Sequence, residues 1–206
     1  SNAKILTVED GVVTYVAGKG TVTITDTSAG KTGTIKRDDQ GIDGETSYYV
    51  IRNLGTMVIE QANVVNNSGA TGSSLVCNGG ETTTASLTIN GGIIKGLSAI
   101  ESKSGETIIA VNGDPTITAT GSISHNENNN GTSTSGYAIA VVNNKNYAGS
   151  ANVTINSGKY TGLIAVVDDQ EDSEKNGTIT ITGGLFSSDP SAYVAADHYV
   201  DASNNG

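Results

Sequence analysis

Apolar and polar residues alternate at every second position along most of the chain, and the spacing of an amphipathic helix is nearly absent. A period of two predicts β-strands with one buried and one exposed face. A triplet of an apolar residue, any residue and isoleucine recurs at Val22-Thr23-Ile24, Met57-Val58-Ile59, Leu87-Thr88-Ile89, Pro115-Thr116-Ile117, Val153-Thr154-Ile155 and Ile179-Thr180-Ile181. The isoleucines of successive triplets lie 35, 30, 28, 38 and 26 residues apart. This recurrence predicts one strand per repeat of a stacked β structure.

A second apolar series lies between the triplets, in the segments YVIRN, SLVCN, SAIES, IAVVNN and IAVVDD. Its aligned central residues are Ile51, Val76, Ile100, Val141 and Val166. The two series keep a common offset, because Ile89 and Ile100 lie 11 residues apart, as do Ile155 and Val166. We therefore predict a coil of about 25 residues with at least two strands, stacked so that aliphatic side chains form continuous buried columns.

Polar residues follow each centre of the second series by two positions, at Asn53, Asn78, Ser102, Asn143 and Asp168. Short polar side chains bond to nearby amides and tolerate left-handed backbone, so a stack of them is typical of a recurring corner. With its coil length and corner residues the sequence resembles the right-handed parallel β-helix of the pectate-lyase-like type, in which asparagine ladders line one turn. The predicted fold is all-β, a solenoid of about five to six coils with caps at both ends. A β-sandwich is the alternative.

The predicted organisation is a single domain. Ser1-Asn2-Ala3 is typical of a tag remnant, and the rest divides into an N-terminal cap at 4–20, coils at 21–188 and a C-terminal cap and tail at 189–206. Two polar stretches, 31–46 and 122–136, are predicted to be loops extruded from single coils. Asp189-Pro190 fits a helix start, so 189–196 is predicted to leave the repeat as a short helical turn.

Composition and net charge exclude some classes of binding partner. Hydrophobic residues make up 35% of the chain but aromatic residues only 4%, so the core must be aliphatic. The net charge is −10 and the cations are scattered along the sequence, which argues against nucleic acid and anionic membranes as partners. No apolar run reaches the roughly 20 residues of a membrane-spanning helix. The single Cys77, expected to face outward or lie near a corner, excludes an internal disulfide.

Acidic residues cluster after the last segment of the second series. Weak calcium-ligand candidates there are Asp168, Asp169, Glu171 and Asp172, because Ca²⁺ takes six to eight oxygen ligands. Their spacing matches no EF-hand loop, so a solvated acidic loop is the alternative, and the expected cofactor is none, with calcium possible. The acidic residues of the first loop, Asp38, Asp39, Asp43 and Glu45, have the same two interpretations.

Tyrosines near the second extruded loop are candidate ligand contacts. Tyr137 and Tyr147 lie beside Asn and Asp residues, and tyrosine rings stack on sugars while amides bond to hydroxyls. Together with Asp168 and Asp169 they form the predicted ligand-binding set. The alternative is that tyrosine covers the core at strand ends, as expected for Tyr160, whose repeat counterparts are Ile94 and Phe186.

No catalytic residue is predicted. The chain has Arg37 and Arg52 as possible lyase bases, but it lacks the Gly-His signature of the related hydrolases, and no carboxylate pair stands out, Glu101 included. Ser187, Ser188, Asp189 and His198 resemble catalytic material, yet they fall where the repeat stops. A threonine array suited to ice binding is disfavoured by uneven coils and by Glu60, Asn90 and Asn156.

The segment GGLFSSDPSAYVA, at the end of the repeats, is similar to segments of surface proteins from gut Firmicutes. This resemblance implies a non-catalytic, adhesin-like module, secreted or on the cell surface, that binds a glycan or a host or cell-surface protein, or displays other elements. We expect it to be a monomer from which a signal peptide has been removed. A polysaccharide lyase or glycoside hydrolase of β-helix type is the alternative, and an inert spacer is the third possibility.

Overall fold

The structure, a computed structural model, describes residues 6–9, 12–15, 20–38, 49–69, 73–78, 84–103, 105–126, 133–143, 149–168 and 177–202. These residues form twenty β-strands and one short 3-10 helix, Ser191–Tyr193. The strands are β1 (Leu6–Glu9), β2 (Val12–Tyr15), β3 (Thr21–Thr25), β4 (Thr34–Arg37), β5 (Ile51–Asn53), β6 (Thr56–Asn66), β7 (Ser73–Asn78), β8 (Ala85–Ile89), β9 (Gly92–Gly96), β10 (Ser98–Lys103), β11 (Thr107–Val111), β12 (Thr116–Ala119), β13 (Ser124–Asn126), β14 (Ser133–Ser135), β15 (Tyr137–Asn143), β16 (Ala151–Ile155), β17 (Lys159–Thr161), β18 (Leu163–Asp168), β19 (Gly177–Ile181) and β20 (Leu185–Phe186).

The strands pair in three runs that the chain visits in turn. Sheet 1 has the order β1-β2-β5-β7-β10-β15-β18. Sheet 2 comprises β3, the first half of β6, β8, β11, β16 and β19, and sheet 3 comprises β4, the second half of β6, β9, β12, β17 and β20. Apart from β1 with β2 and β13 with β14, the described strands pair in parallel. The predicted all-β class and its parallel, solenoid-like organisation are thus confirmed.

Equivalent side chains of successive coils stack into apolar columns inside the three sheets. Three of these columns are Ile51/Leu75/Ile100/Ile139/Ile164, Ile59/Ile89/Val111/Ile155/Ile181 and Val64/Ile94/Ile117/Tyr160/Phe186. Each buried isoleucine or leucine contributes roughly 1.5–3 kcal/mol relative to an exposed one. The Tyr160 and Phe186 rings stack with centroids 4.9 Å apart, as their repeat positions predict.

One member of the first predicted series belongs to a different sheet. Ile117 lies in β12, where it pairs with Ile94 and Tyr160 of sheet 3. The sheet 2 strand of that coil is β11, which ends in Val111. The prediction was wrong here because the triplet required isoleucine at a position that valine fills equally well.

The predicted register of the second series was wrong at three of its four steps, since Val76 pairs with Glu101 and not with Ile100, and only the step from Val141 to Val166 is confirmed. Ile51 pairs with Leu75 and not with Val76, and Ile100 pairs with Ile139 and not with Val141. A slip of one residue exchanges the two faces of a strand. The proposed polar corner is therefore in register only at Asn143 and Asp168, whereas Asn53 and Ser102 both pair with Cys77.

Cys77 lies inside the solenoid and not on its surface. The side chain is 0% exposed, and this burial raises the pKa of its thiol to about 12. Its sulfur lies 3.4 Å from Nδ2 of Asn53, which also donates to the Ser86 carbonyl. The expectation of an outward or corner position was wrong, because Cys77 shares its face with the core residue Leu75.

The C-terminal segment covers the last coil. The predicted helical turn within 189–196 is confirmed as the 3-10 helix Ser191–Tyr193, and the Asp189 carboxylate accepts a hydrogen bond from the Ser191 amide. The Tyr193 hydroxyl accepts one from the Val166 amide, and Val194 pairs with Ile181. These contacts occupy the open edges of sheets 1 and 2, which would otherwise present unpaired backbone groups.

Candidate functional site

The connections between strands differ sharply in length around the coil. Between sheets 2 and 3 they are short in four coils: residues 90–91, 112–115, 156–158 and 182–184. The two longest connections, 38–50 and the stretch from 120 to 136 that contains β13 and β14, adjoin sheet 1, as do 144–150 and 169–176. Residues 26–33, between β3 and β4, are the one longer connection between sheets 2 and 3 among the described strands. Insertions in a rigid scaffold are concentrated where binding elements are carried. The outer face of sheet 1 is therefore the candidate site.

A hydrogen-bonded polar ladder closes the short corner between sheets 2 and 3. Asn112 Nδ2 donates to Asn90 Oδ1 over 3.2 Å, and Asn156 Nδ2 donates to Asn112 Oδ1 over 2.8 Å. The ladder ends at the Glu60 carboxylate, which accepts from Asn90, and at the Thr182 hydroxyl, which donates to Asn156. The signal for it in the sequence is the residue that follows each sheet 2 strand.

Glycine keeps this corner tight. Gly113 has a φ of +64°, and a Cβ on it would lie 2.0 Å from the Asn90 carbonyl oxygen. Only glycine avoids both the strained backbone and the clash. The corner therefore stays short in these four coils, and the two longest connections lie beside sheet 1.

The outward side chains of sheet 1 are covered. Val76, Glu101, Ala140 and Val142 are at most 1% exposed, although their backbone register places them on the side away from the core columns. Tyr137, Ala140, Val142 and Val167 form a second, smaller apolar cluster there. Because these outward side chains are buried, other elements of the chain must pack against the outer face of sheet 1.

The hairpin of β13 and β14 is one of those elements. The Thr134 amide and hydroxyl donate to Oε1 of Glu101 over 2.9 and 2.8 Å, and the Thr134 hydroxyl oxygen lies 3.0 Å from that of Ser98. Ser98 also accepts from the Tyr137 amide. The loop predicted at 122–136 is thus extruded from the coil but folds back onto sheet 1, where Thr134 is fully buried.

A buried pair of opposite charges lies beside this contact. Lys103 Nζ is 3.7 Å from Oε2 of Glu101 and 5.9 Å from the centre of the Tyr49 ring, a cation–π distance. Glu101 is 0% and Lys103 3% exposed, and Oε2 accepts no hydrogen bond from the described residues. Burying such charges carries a desolvation penalty of several kcal/mol per ion. The pair therefore lowers the stability of the fold while it holds Thr134 and Tyr49 against sheet 1.

Among the predicted ligand-binding residues, Tyr137 alone has a side chain within the described residues. Tyr137 is 5% exposed and packs in the apolar cluster, where burial raises its pKa, so its ring has no open face for stacking on a sugar. Asp168 ends β18, but its side chain lies outside the described residues, as do Tyr147, Asp169, Glu171 and Asp172. Their roles in ligand or calcium binding remain predictions.

The other sequence candidates have structural contacts. Arg37 is 6% exposed and donates to the Tyr49 carbonyl. The Ser187 hydroxyl accepts from the Gly162 amide, and the Ser188 hydroxyl donates to the Gly162 carbonyl, which ties the end of the repeats to the preceding coil. Among the described residues, no group of three or more His, Cys, Asp and Glu could hold a metal ion, and no helix could span a membrane.

No known protein family matches the sequence, and neither the curated proteins nor the solved structures compared with the chain include a significant match.

Proposed function

We propose that the chain is a non-catalytic, adhesin-like module, secreted or displayed on the cell surface, which binds a glycan or a protein through the loops around sheet 1. In this proposal the fold is a right-handed parallel β-helix of pectate-lyase-like architecture. The observation that carries it is the position of the two longest connections, 38–50 and 120–136, beside sheet 1, where the strands hold the buried Glu101–Lys103 pair.

A rigid frame with variable loops on one side is the usual plan of a binding module. Sheet 2 and its polar ladder supply the frame, since their strands stay in register from β6 to β19. The network of Glu101 and Thr134 holds one hairpin in a fixed position, which lowers the conformational entropy that a binding loop would lose on contact.

The same network argues for binding over catalysis. A general acid or nucleophile must reach the substrate, whereas Glu101 is fully buried and its carboxylate already contacts Thr134 and Lys103. The other carboxylates beside sheet 1, Asp168 and Asp169, are proposed as ligand contacts on the loop after β18, with Tyr147 on the loop before β16.

A glycan array of neutral and uronic-acid polysaccharides tests the proposal with the whole chain. Changing Tyr147, Asp168 and Asp169 to Ala should lower binding at least about tenfold, since each lost contact is worth of the order of 1 kcal/mol. The matched control is the pair Thr154→Ala and Thr180→Ala on sheet 2, which should bind like the unmodified protein.

Other outcomes distinguish the competing functions. Cleavage of a polysaccharide in the presence of calcium, lost in the Asp168 and Asp169 variants, would establish the lyase or hydrolase and overturn the non-catalytic proposal. Equal losses in both sets of variants would place the binding face elsewhere. Neither binding nor cleavage would leave a display scaffold without a ligand of its own.

A further inference from the structure

The fold gathers lysines that are far apart in the sequence onto the outer face of sheet 3. Lys36 and Lys95 lie in one row of the sheet, on either side of Val65. Lys159 lies in the neighbouring row, in register with Thr116 and Ile93. All three lysines are exposed. Cations that are scattered in the sequence therefore form a local patch on a chain of net charge −10.

Two of these lysines have no ionic partner in the described part of the chain. Lys36 pairs with Asp38 at the end of β4, whereas Lys95 and Lys159 form no ion pair there. The sheet 3 strands themselves contain no Asp or Glu, and the nearest acidic positions in sequence, Asp38, Glu60 and Asp114, lie outside the paired residues of sheet 3. The patch thus keeps an unneutralised positive charge.

Apolar side chains lie among the lysines. Ile93 is 43% and Leu185 55% exposed, so the face offers aliphatic side chains as well as cations to a partner. Both share the row of Lys159, because Ile93, Thr116, Lys159 and Leu185 are register neighbours on four successive strands. A partner of this face would contact cations and exposed aliphatic groups together.

We propose that the outer face of sheet 3 docks an extended acidic polypeptide segment with apolar side chains between its carboxylates. Its strands lack an outward-facing aromatic ring, which sugars and single-stranded bases would need for stacking. Three lysines are also too few for the phosphate contacts that govern nucleic-acid affinity. An acidic peptide uses both properties of the face.

The dimensions agree with such a segment. Strands two apart in a sheet are separated by roughly 10 Å, so Lys36 and Lys95 are about that far apart. An extended peptide in the polyproline II conformation has three residues per turn and rises about 3.1 Å per residue, so carboxylates three residues apart lie on one side of it with about the same spacing. Apolar side chains next to these carboxylates can then reach Ile93 in the neighbouring row, and a segment that continues across the sheet passes Lys159 before it reaches Leu185, three strands beyond Lys95. This face is separate from the one in the proposed function, so either can fail alone.

The test measures fluorescence anisotropy of a dye-labelled peptide with the sequence Glu-Leu-Ser repeated four times, at about 20 mM salt, where surface charges are weakly screened. The unmodified chain should bind it more tightly than a Glu-Ser-Ser repeat. Lys95→Gln with Lys159→Gln should weaken binding about tenfold, as expected for two exposed ionic contacts. Ile93→Ser with Leu185→Ser should abolish the preference for the leucine-containing peptide.

The control has the same net charge. Thr154→Glu with Thr180→Glu on sheet 2 brings the formal charge to −12, as does the double lysine variant, and it should bind like the unmodified chain. Equal losses in the two variants would show that overall charge, and not sheet 3, controls binding. Absence of binding by the unmodified chain, or tighter binding of polygalacturonate than of the peptide, would also overturn the proposal.

Discussion

The outer faces of sheets 1 and 2 belong to the same coils but have opposite properties. On sheet 1 the outward Glu101 and Val76 are buried. The β13–β14 hairpin lies against the strands there, and Glu101 and Lys103 of β10 form a buried charge pair. On sheet 2 the outward Thr154 and Thr180 are exposed, and the strands stay in register without a covering element among the described residues. The difference shows that the connections, and not the repeat itself, decide which face of a coil is covered.

The two faces also divide stability and specificity between them. Sheet 2 combines aliphatic columns inside with an outer face that includes several threonines, which suit an exposed strand because they are β-branched, besides Val58, Ala110 and the exposed Ile108. Sheet 1 contains charges that are costly to bury and that fix the position of one hairpin. We therefore expect substitutions on the sheet 1 face to have large effects and those on sheet 2 to have small ones.

The strongest test of this contrast is Glu101→Ala. The change removes the buried carboxylate that faces Lys103, and with it Oε1, the one atom that accepts both hydrogen bonds from Thr134. The free energy of unfolding should fall by about 3–5 kcal/mol. Thr154→Ala on sheet 2 should change it by no more than about 0.5 kcal/mol. Urea unfolding at pH 7 measures both.

A double substitution separates charge from packing at the same site. Glu101→Gln with Lys103→Met removes both charges but keeps the side-chain volumes, so it should cost much less than Glu101→Ala alone. If Glu101→Ala lowered the free energy of unfolding by less than about 1 kcal/mol, the contrast between sheets 1 and 2 would be wrong, because removing one partner of a buried charge pair is strongly destabilising.

Substitutions in the polar ladder beside sheet 2 should lower the stability by less than Glu101→Ala. Asn112→Ala removes the donor to Asn90 and the acceptor for Asn156 and should cost about 1–2 kcal/mol. Thr88→Ala, on the same face but outside the ladder, should be nearly neutral. Thermal unfolding of the two variants makes the comparison. Equal melting temperatures would mean that the ladder amides are as well satisfied by water as by each other.

The sequence predicted the coils because alternate burial is imposed by strand geometry. The rule worked best on sheet 2, where Leu87, Thr88 and Ile89 alternate cleanly between core and surface. It failed on sheet 1 because Leu75 and Val76 are both buried. A strand covered on both faces loses the alternation that fixes its register. The alternation of apolar and polar residues therefore could not predict the register of the sheet 1 strands, where the candidate site lies.

The buried charge pair of sheet 1 could not be predicted from the sequence. Glu101 and Lys103 stand two apart in a segment that reads like an exposed strand end, and their burial depends on Thr134, 33 residues from Glu101. Contacts over that distance leave no local signal. The polar ladder, in contrast, was visible at Glu60, Asn90 and Asn156, but these residues were interpreted only as interruptions of a threonine array.

The smallest expected effect concerns an exposed carboxylate, the counterpart of the buried Glu101. Asp26 follows β3, and hydrogen bonds from the Ser28 side chain and from the Gly33 and Ser28 amides hold its pKa below the usual 3.8. Because the folded pKa is the lower one, the ionised form stabilises the fold above the unfolded pKa, and this contribution disappears as the pH falls through the folded value.

Asp26→Asn should therefore destabilise the chain near pH 7, and its difference from the unmodified protein should shrink as the pH falls below about 4. Urea unfolding between pH 7 and pH 3 measures that difference. Asp197→Asn is the control, since Asp197 is exposed and forms no hydrogen bond through its side chain within the described part of the chain. A difference for Asp26→Asn that is constant with pH would show that the loop depends on the shape of the side chain and not on its charge. Asp26 would then stabilise the fold through the shape of its side chain, whereas Glu101 stabilises it through its charge.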